Sequence, residues 1–311
     1  MKSPLPDIFS VNSLAELTNQ NFILPFYHLV SDEACPHIKN LYQVKTVAQF
    51  ESDLDFLLKH YTPIAASDLT NVVNGKLKNK KIFLLSFDDG LREVHDIIAP
   101  ILLRKGVPAI FFLNSDFIDN RALMFRYKVS LLIEQLANDK SDLKKFLKTE
   151  RTDSALIQET ADKLSYKFDL FLETQQPYLT SAQIETLIAQ GFSIGAHSCN
   201  HPYYEDIPLQ EQLRQTFESL AFLQSRFSIK EKMFAFPFTD FGVTRSFFDS
   251  VFLDKKLDFS FGGAGLKKDV SPFHFQRLAM EQAATAEQIV RAEYIYYLLK
   301  IPFLKNSISR N

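Results

Sequence analysis

Seven short apolar runs punctuate this chain, each too short for a helix and most followed by a stretch whose apolar residues recur at helical spacing. The runs are Phe22 to Tyr27, Lys81 to Phe87, Ala109 to Leu113, Phe192 to Ala196, Met233 to Phe236, Leu257 to Phe261 and His274 to Met280. Runs of this kind suit strands buried on both faces. Between them, Thr46 to His60 carries Val47, Phe50, Leu54, Leu57 and Leu58 on one stripe, and Thr46 with Gln49 forms a capping box. Leu91 to Lys105 has Val94, Ile97, Ile98, Ile101 and Leu102 on one face and stops at Gly106. Thr180 to Gln190 repeats the pattern, with Thr180 and Gln183 as the box and Gly191 as the stop; Leu209 to Phe227 and Thr285 to Lys300 are two further helices. Strands alternating with helices imply a parallel α/β arrangement, and about seven strands suggest a barrel.

Residues 116 to 177 break the alternation. Lys128 to Ala137 and Ser154 to Leu172 read as helices, separated by the charged stretch DKSDLKKFLKTERTD, so the segment is expected to be a helical insertion between the third and fourth strands. Insertions in barrel enzymes gather near the active face, where this one would shape a cleft.

Two of the apolar runs end in ionisable residues. Leu85-Ser86-Phe87 stops at Asp88-Asp89-Gly90, and the run to Ala196 stops at His197-Ser198-Cys199-Asn200-His201-Pro202. Taken singly, neither is decisive: an Asp pair before Gly is common turn chemistry, and two histidines four apart arise on solvated surfaces. Together they are more specific, because loops at the carboxyl ends of parallel strands converge on the active site. Carboxylate and imidazole suit a divalent ion of the zinc, cobalt or nickel kind, and three protein ligands leave a position open for water. One aspartate is then left over beside the metal, where a hydrolytic enzyme needs a base.

At these residues the chain resembles the polysaccharide deacetylase family, the NodB-homology carbohydrate esterases that remove acetyl groups from N-acetylated sugars. SFDDG is similar to that family's TFDDG motif, and HSCNHP to its H-[ST]-x-x-H-P motif. The resemblance implies that Asp88 is the catalytic base and that Asp89, His197 and His201 are metal ligands. Tyr27-His28, Tyr178 to Gly195 and Phe234 to Phe238 also resemble family segments, so that the likeness spans about residues 22 to 115 and 178 to 281. It implies a distorted (β/α)7 barrel of the NodB-homology type, here as a single catalytic domain over 1 to 311, with zinc, cobalt or nickel as cofactor and zinc first among them.

The third family motif, R-x-P-Y, reads Ala235-Phe236-Pro237-Phe238 here. Its Arg, which orients the base in the family, is absent; Arg277 is the expected substitute, and a backbone donor at Phe238 survives any side-chain change. Pro237, Phe238, Arg277 and His28 are expected on the substrate side. The family's last motif ends in a His acting as general acid, and the one nearby histidine is His274. If residues 274 to 280 form one strand, at about 3.3 Å per residue His274 lies roughly 20 Å from the end where Glu281 emerges. Glu281 is therefore the candidate acid.

The implied activity is metal-dependent hydrolysis of an N-acetyl group on a sugar, oligosaccharide or glycoconjugate. Two other readings stay open: a non-catalytic carbohydrate-binding relative, motivated by the missing Arg and the missing terminal His, and an amidase acting on a small non-sugar substrate. A net charge of −2 and no basic block argue against nucleic acid, and thirty Phe spread along a chain with no Trp read as core filling. Cys35 and Cys199 are too few for a disulfide framework; Cys199, inside the histidine motif, is expected to be a small buried thiol. The first twenty residues lack an apolar h-region, so a cytoplasmic location is expected, and no run of eighteen apolar residues exists. The closest approach is Ile289 to Leu304, expected to pack on the barrel, with membrane-surface contact as its minority role.

Overall fold

A computed structural model describes residues 10–136 and 154–310. Eleven short strands form two parallel sheets. In chain order they are β1 (Phe22–Ile23), β2 (Pro25–Tyr27), β3 (Thr62–Pro63), β4 (Ile82–Phe83), β5 (Leu85–Phe87), β6 (Ala109–Leu113), β7 (Ser193–Ala196), β8 (Met233–Ala235), β9 (Phe259–Gly262), β10 (His274–Gln276) and β11 (Leu278–Ala279). Eight of them make one sheet in the order β10-β9-β8-β7-β6-β5-β2-β11. Its two edge strands are consecutive in sequence, so the sheet curls until its ends meet almost at Arg277. The result is a nearly closed parallel (β/α) barrel of the kind expected from the resemblance.

Three of the expected strands are broken, and each break serves the closure. The run Phe22 to Tyr27 divides at Leu24, and Lys81 to Phe87 divides at Leu84; the first halves leave the barrel to form a small sheet, β1-β4-β3. Pro25 helps to set the first break, because it opens β2 without a backbone N–H to donate. The expected single strand 274–280 is likewise two strands. β10 pairs with β9, whereas β11 crosses the seam to pair with β2, Leu278 beside Pro25 and Ala279 beside Phe26. The barrel sheet therefore has eight strands where about seven were expected, and His274 and Glu281 do not lie along one straight strand.

The helices follow their sequence signals closely. Capping boxes form at Thr46 with Gln49 and at Thr180 with Gln183, as expected, and also at Thr285 with Gln288. The helix expected over Leu91 to Lys105 is less regular. Val94–Ile98 winds with a wider turn before Ala99–Lys105, since Pro100 cannot donate to the turn behind it and its ring crowds that turn. It ends where Gly106 takes φ 67°. In the insertion, helices run over Phe125–Gln135, Ser154–Lys163 and Phe168–Gln175. The second of the two expected there is thus broken, with Ser165 in the left-handed region at φ 52°. Ala137 and the charged stretch 139–153 lie outside the described residues.

Two features of the core position the site. The layer between the barrel and its helices buries Phe83, Phe87, Phe111, Phe234 and Tyr294 among many others, while the barrel interior holds Ile110, Phe112, Met233 and Phe261. A second apolar cluster joins the insertion to the loop after β2: Tyr127, Leu132, Phe168 and Phe171 pack with Leu29, Cys35 and Ile38. The insertion is thereby fixed over the carboxyl ends of β2 and β5. No helix among the described residues is long and apolar enough to cross a membrane.

Candidate active site

The carboxyl ends of β2, β5, β7, β8, β9 and β10 open into one cleft of about 340 Å³, lined by Phe26, His28, Asp88, Asp89, His201, Phe238 and Arg277 among others. Ending β5 and β7 in Asp and His, rather than in more apolar residues, places these side chains where the sheet stops and the cleft begins. Backbone strain gathers here. Asp89 (φ 69°), Ser198 (φ 67°), His201 (φ 63°) and Phe238 (φ 56°) all occupy the left-handed region without being glycine. Such conformations cost free energy and persist where surrounding structure holds them, most often at functional sites.

Asp89, His197 and His201 converge. All three are buried, and one ligand-type atom from each lies within 4.8 Å of the others. The His197 Nδ1–H donates to the Ala235 carbonyl at 2.8 Å, which leaves the Nε2 lone pair facing Asp89 Oδ1 at 3.4 Å. His201 Nε2 faces the same oxygen at 3.2 Å. Asp89 Oδ2 accepts from the Tyr127 hydroxyl at 2.7 Å, whereas Oδ1 has no hydrogen-bond partner among the described residues. A buried carboxylate oxygen held against two imidazole nitrogens fits a divalent cation: the donor set is oxygen and nitrogen, and the carbonyl behind His197 fixes its tautomer as ligating histidines require. Burial pushes the Asp89 carboxyl up, but the two histidines outweigh it and hold the group well below the usual carboxylate range. Burial drives the His201 imidazole down. Both directions favour the deprotonated forms that bind metal.

Asp88 lies beside this cluster in a different setting. Arg277 grips it with two parallel hydrogen bonds, Nη1 to Oδ1 and Nη2 to Oδ2, both 2.7 Å, and is itself steadied by the Gly262 carbonyl at 3.1 Å and Ser86 Oγ at 3.2 Å. The guanidinium stacks over the Phe26 ring at 4.4 Å. Burial raises the Asp88 carboxyl, and Arg277 with His197 more than reverses that, so the group is held down and charged. Arg277 thus stands where the sequence expectation wanted a substitute for the missing Arg.

Glu281 follows the last barrel strand and sits behind His28, which lines the cleft, and its geometry is that of an acceptor. Oε1 accepts from the backbone N–H groups of His28 and Leu29 at 2.8 and 3.0 Å, and Oε2 meets His28 Nδ1 at 2.5 Å. Burial pulls the His28 imidazole down, but Glu281 outweighs it and lifts the group to about 9. Tyr42 stacks on the His28 ring, centroids 4.8 Å apart. A carboxylate tied to three donors is badly placed to give up a proton, while a protonated histidine on the cleft wall is well placed. Sequence reasoning put His28 only among substrate contacts, because residues 28 and 281 become neighbours solely through the pairing of β11 with β2.

Pro237 and Phe238 follow β8. The Phe238 ring lies against His201 at 4.3 Å and stacks on Tyr203 at 3.9 Å, forming an aromatic wall. Cys199 is buried, its thiol 3.6 Å from the Gln215 carbonyl and its pKa raised by burial, as a small packed thiol would be. Tyr127 and Tyr42 were missed in the sequence, since neither sits in a recognisable motif. So was a second cluster, in which His274 joins Asp240 and Asp269. There the Arg310 guanidinium already fills the space between the carboxylates, 2.6 Å from Asp269 Oδ2, and Gln276 donates to Asp240 at 2.7 Å. The histidine that sequence reasoning set aside is therefore a member of a satisfied ion network.

Fold and site together define a nearly closed parallel α/β barrel with strand-end aspartates and histidines gathered in one cleft, and comparison narrows the class. The chain belongs to the polysaccharide deacetylase family, whose model matches residues 75–246. Among solved structures it is similar to the deacetylase PplD of Streptococcus pyogenes in complex with acetate (12% identity, TM-score 0.59, 87% of this chain and 96% of that one). IcaB from Ammonifex degensii (15%, 0.56, 88% and 97%) and a de-N-acetylase from Aggregatibacter actinomycetemcomitans (14%, 0.57, 88% and 99%) share the fold. No curated protein matches the chain by sequence.

Proposed function

We propose that the protein hydrolyses the N-acetyl group of an N-acetylated sugar, oligosaccharide or glycoconjugate, releasing acetate and a free amine. The observation that carries this reading is the bidentate hold of Arg277 on Asp88, set beside the Asp89, His197 and His201 cluster in one cleft. Asp89, His197 and His201 would hold a divalent cation, zinc first among the candidates, which when bound acidifies water and polarises the acetyl carbonyl. Asp88, fixed and kept charged by Arg277, accepts the proton of the attacking water. The backbone N–H at Phe238 is the donor assigned to the developing oxyanion. His28 then protonates the leaving nitrogen from its free Nε2, with Glu281 holding Nδ1 and the imidazole's orientation. This moves the acid role from Glu281 to His28.

The same reading treats the chain as one catalytic unit in which the start of the insertion borders the cleft, since Met124 and Arg126 line it. The non-catalytic alternative rested on the missing Arg and the missing terminal His; Arg277 on Asp88 weakens the first ground and the raised His28 the second. A panel of N-acetylated oligosaccharides and simple acetamides, assayed for acetate with wild type and Asp88→Asn, tests the proposal. Acetate from the sugars alone, lost in the variant, is expected; release from simple amides only would favour an amidase, and none from either would favour a binding protein.

A further inference from the structure

The end of the barrel opposite the cleft carries an exposed apolar tip. Helix Ala286–Lys300 buries Ile289, Val290, Tyr294 and Tyr297 against the core, but its last turn and the turn after it face outward. Leu299 is 62% exposed, Phe303 71% and Leu304 84%, with Ile301 and Tyr296 beside them. Isolated exposed apolar residues need no explanation, but a contiguous group on one projecting turn does.

Lysines ring this tip. Lys300 and Lys305 flank it in sequence, and from Tyr294 to Arg310 the chain has no acidic residue. Hydrogen bonds bring two other segments alongside. Gln20 donates to the Tyr297 hydroxyl at 2.9 Å and Asn21 donates to the Lys78 carbonyl at 3.1 Å, which places the loop Gly75-Lys76-Leu77-Lys78-Asn79-Lys80 at the same end. Asn306 donates to the same Tyr297 hydroxyl at 3.2 Å and accepts from the Lys268 N–H at 3.0 Å. Lys76, Lys78, Lys80, Lys268 and Lys305 are exposed.

We propose that this end docks on a lipid surface containing anionic headgroups, with Leu299, Ile301, Phe303 and Leu304 entering the headgroup boundary and the lysines meeting the lipid charge. An apolar wedge framed by cations is what such a surface binds. A second copy is disfavoured as occupant, because a twofold contact through this tip would bring like-charged lysines together. Since the tip lies at the amino ends of β1 and β4 and the cleft at the carboxyl ends of the barrel strands, docking leaves the cleft mouth facing away from the lipid. This inference goes beyond the proposed activity and does not depend on it.

Co-sedimentation of the full chain with phosphatidylcholine vesicles, with and without phosphatidylserine, tests it. Binding to the mixed vesicles, weakened by salt, is expected. Phe303→Ser with Leu304→Ser should abolish it, and each of Lys78→Ser and Lys80→Ser should weaken it by roughly fivefold, while thermal melting and acetate release from a soluble substrate stay unchanged. Failure of the wild type to bind the mixed vesicles overturns the proposal, as does equal binding by the variants. A dimer in sedimentation velocity that the Phe303→Ser and Leu304→Ser pair disperses would also overturn it, in favour of self-association.

Discussion

Two adjacent aspartates are separated in role by what touches them. Asp88 faces a guanidinium and Asp89 faces two imidazoles. Asp88→Asn is therefore expected to keep metal affinity and lose at least about a hundredfold in kcat, the scale of a lost general base. Asp89→Asn should lose the metal itself, measured by equilibrium dialysis of both variants; equal losses would overturn the division. The pH dependence has a worked sign on each side. Arg277 lowers the Asp88 pKa against burial, so in Arg277→Met burial is opposed only by His197 and His28, the pKa rises and the acid limb of kcat against pH moves to higher pH. Glu281 lifts His28 to about 9. In Glu281→Gln that support is gone, burial pulls the imidazole down and the alkaline limb moves to lower pH. If Glu281 were itself the acid, its loss would lower the whole profile without shifting that limb. At this scale the sequence was most legible where chemistry is written in a motif, as in DDG and H-x-x-x-H. It was silent where a partner is distant in the chain: Tyr127 on Asp89, Glu281 on His28 and Arg310 on Asp240. The left-handed turns at Asp89, His201 and Phe238 were equally hidden, since only glycine advertises positive φ.

At the level of elements, periodicity and capping placed the longer helices to within a few residues, because both signals are local, while the short helices Val11–Thr18, Leu69–Val73 and Arg245–Phe252 were not foreseen. The seven expected strands formed but neither β3 (Thr62–Pro63) nor the strand breaks were foreseen, since Leu24, Leu84 and Arg277 interrupt runs that read as continuous. Barrel curvature, a property of the whole sheet, decides those positions. Gly195 on β7 illustrates how tightly the interior is drawn. A Cβ there would lie 2.5 Å from the Phe112 ring and 3.1 Å from the Met233 carbonyl, and Phe112 is itself packed on Phe261 at 5.1 Å. Gly195→Ala should cost about 1–3 kcal/mol of stability through overpacking, read as a lower midpoint in urea at unchanged slope. A midpoint equal to wild type would show that the ring yields freely.

Across the whole molecule, a buried ion pair ties the first barrel strand to the last helix. Lys45 lies 3.2 Å from Asp53 and donates to the Ala284 carbonyl, while Asp53 accepts from the Tyr27 hydroxyl at 3.1 Å and the Ala286 N–H at 2.8 Å. Lys45→Met leaves a buried carboxylate facing no cation and should destabilise the fold by about 3–5 kcal/mol; a loss below 1 kcal/mol in chemical denaturation would show that Asp53 is neutralised by other means. Neither Lys45 nor Asp53 was legible as important, because in sequence they are one polar residue before a helix and one within it.

The seam at Arg277 has a consequence for the order in which the protein acquires its chemistry. Asp88, Asp89, His197 and His201 have all left the ribosome by the time residue 201 emerges, but the groups that arm Asp88 and His28 arrive with residues 277 and 281. A nascent chain halted before Arg277 thus carries both recognisable motifs but neither the guanidinium that holds Asp88 nor the carboxylate that holds His28. The contacts of the cleft are complete only once β11 pairs with β2, so that under the proposed reading the order of synthesis leaves both motifs without these partners until the barrel closes.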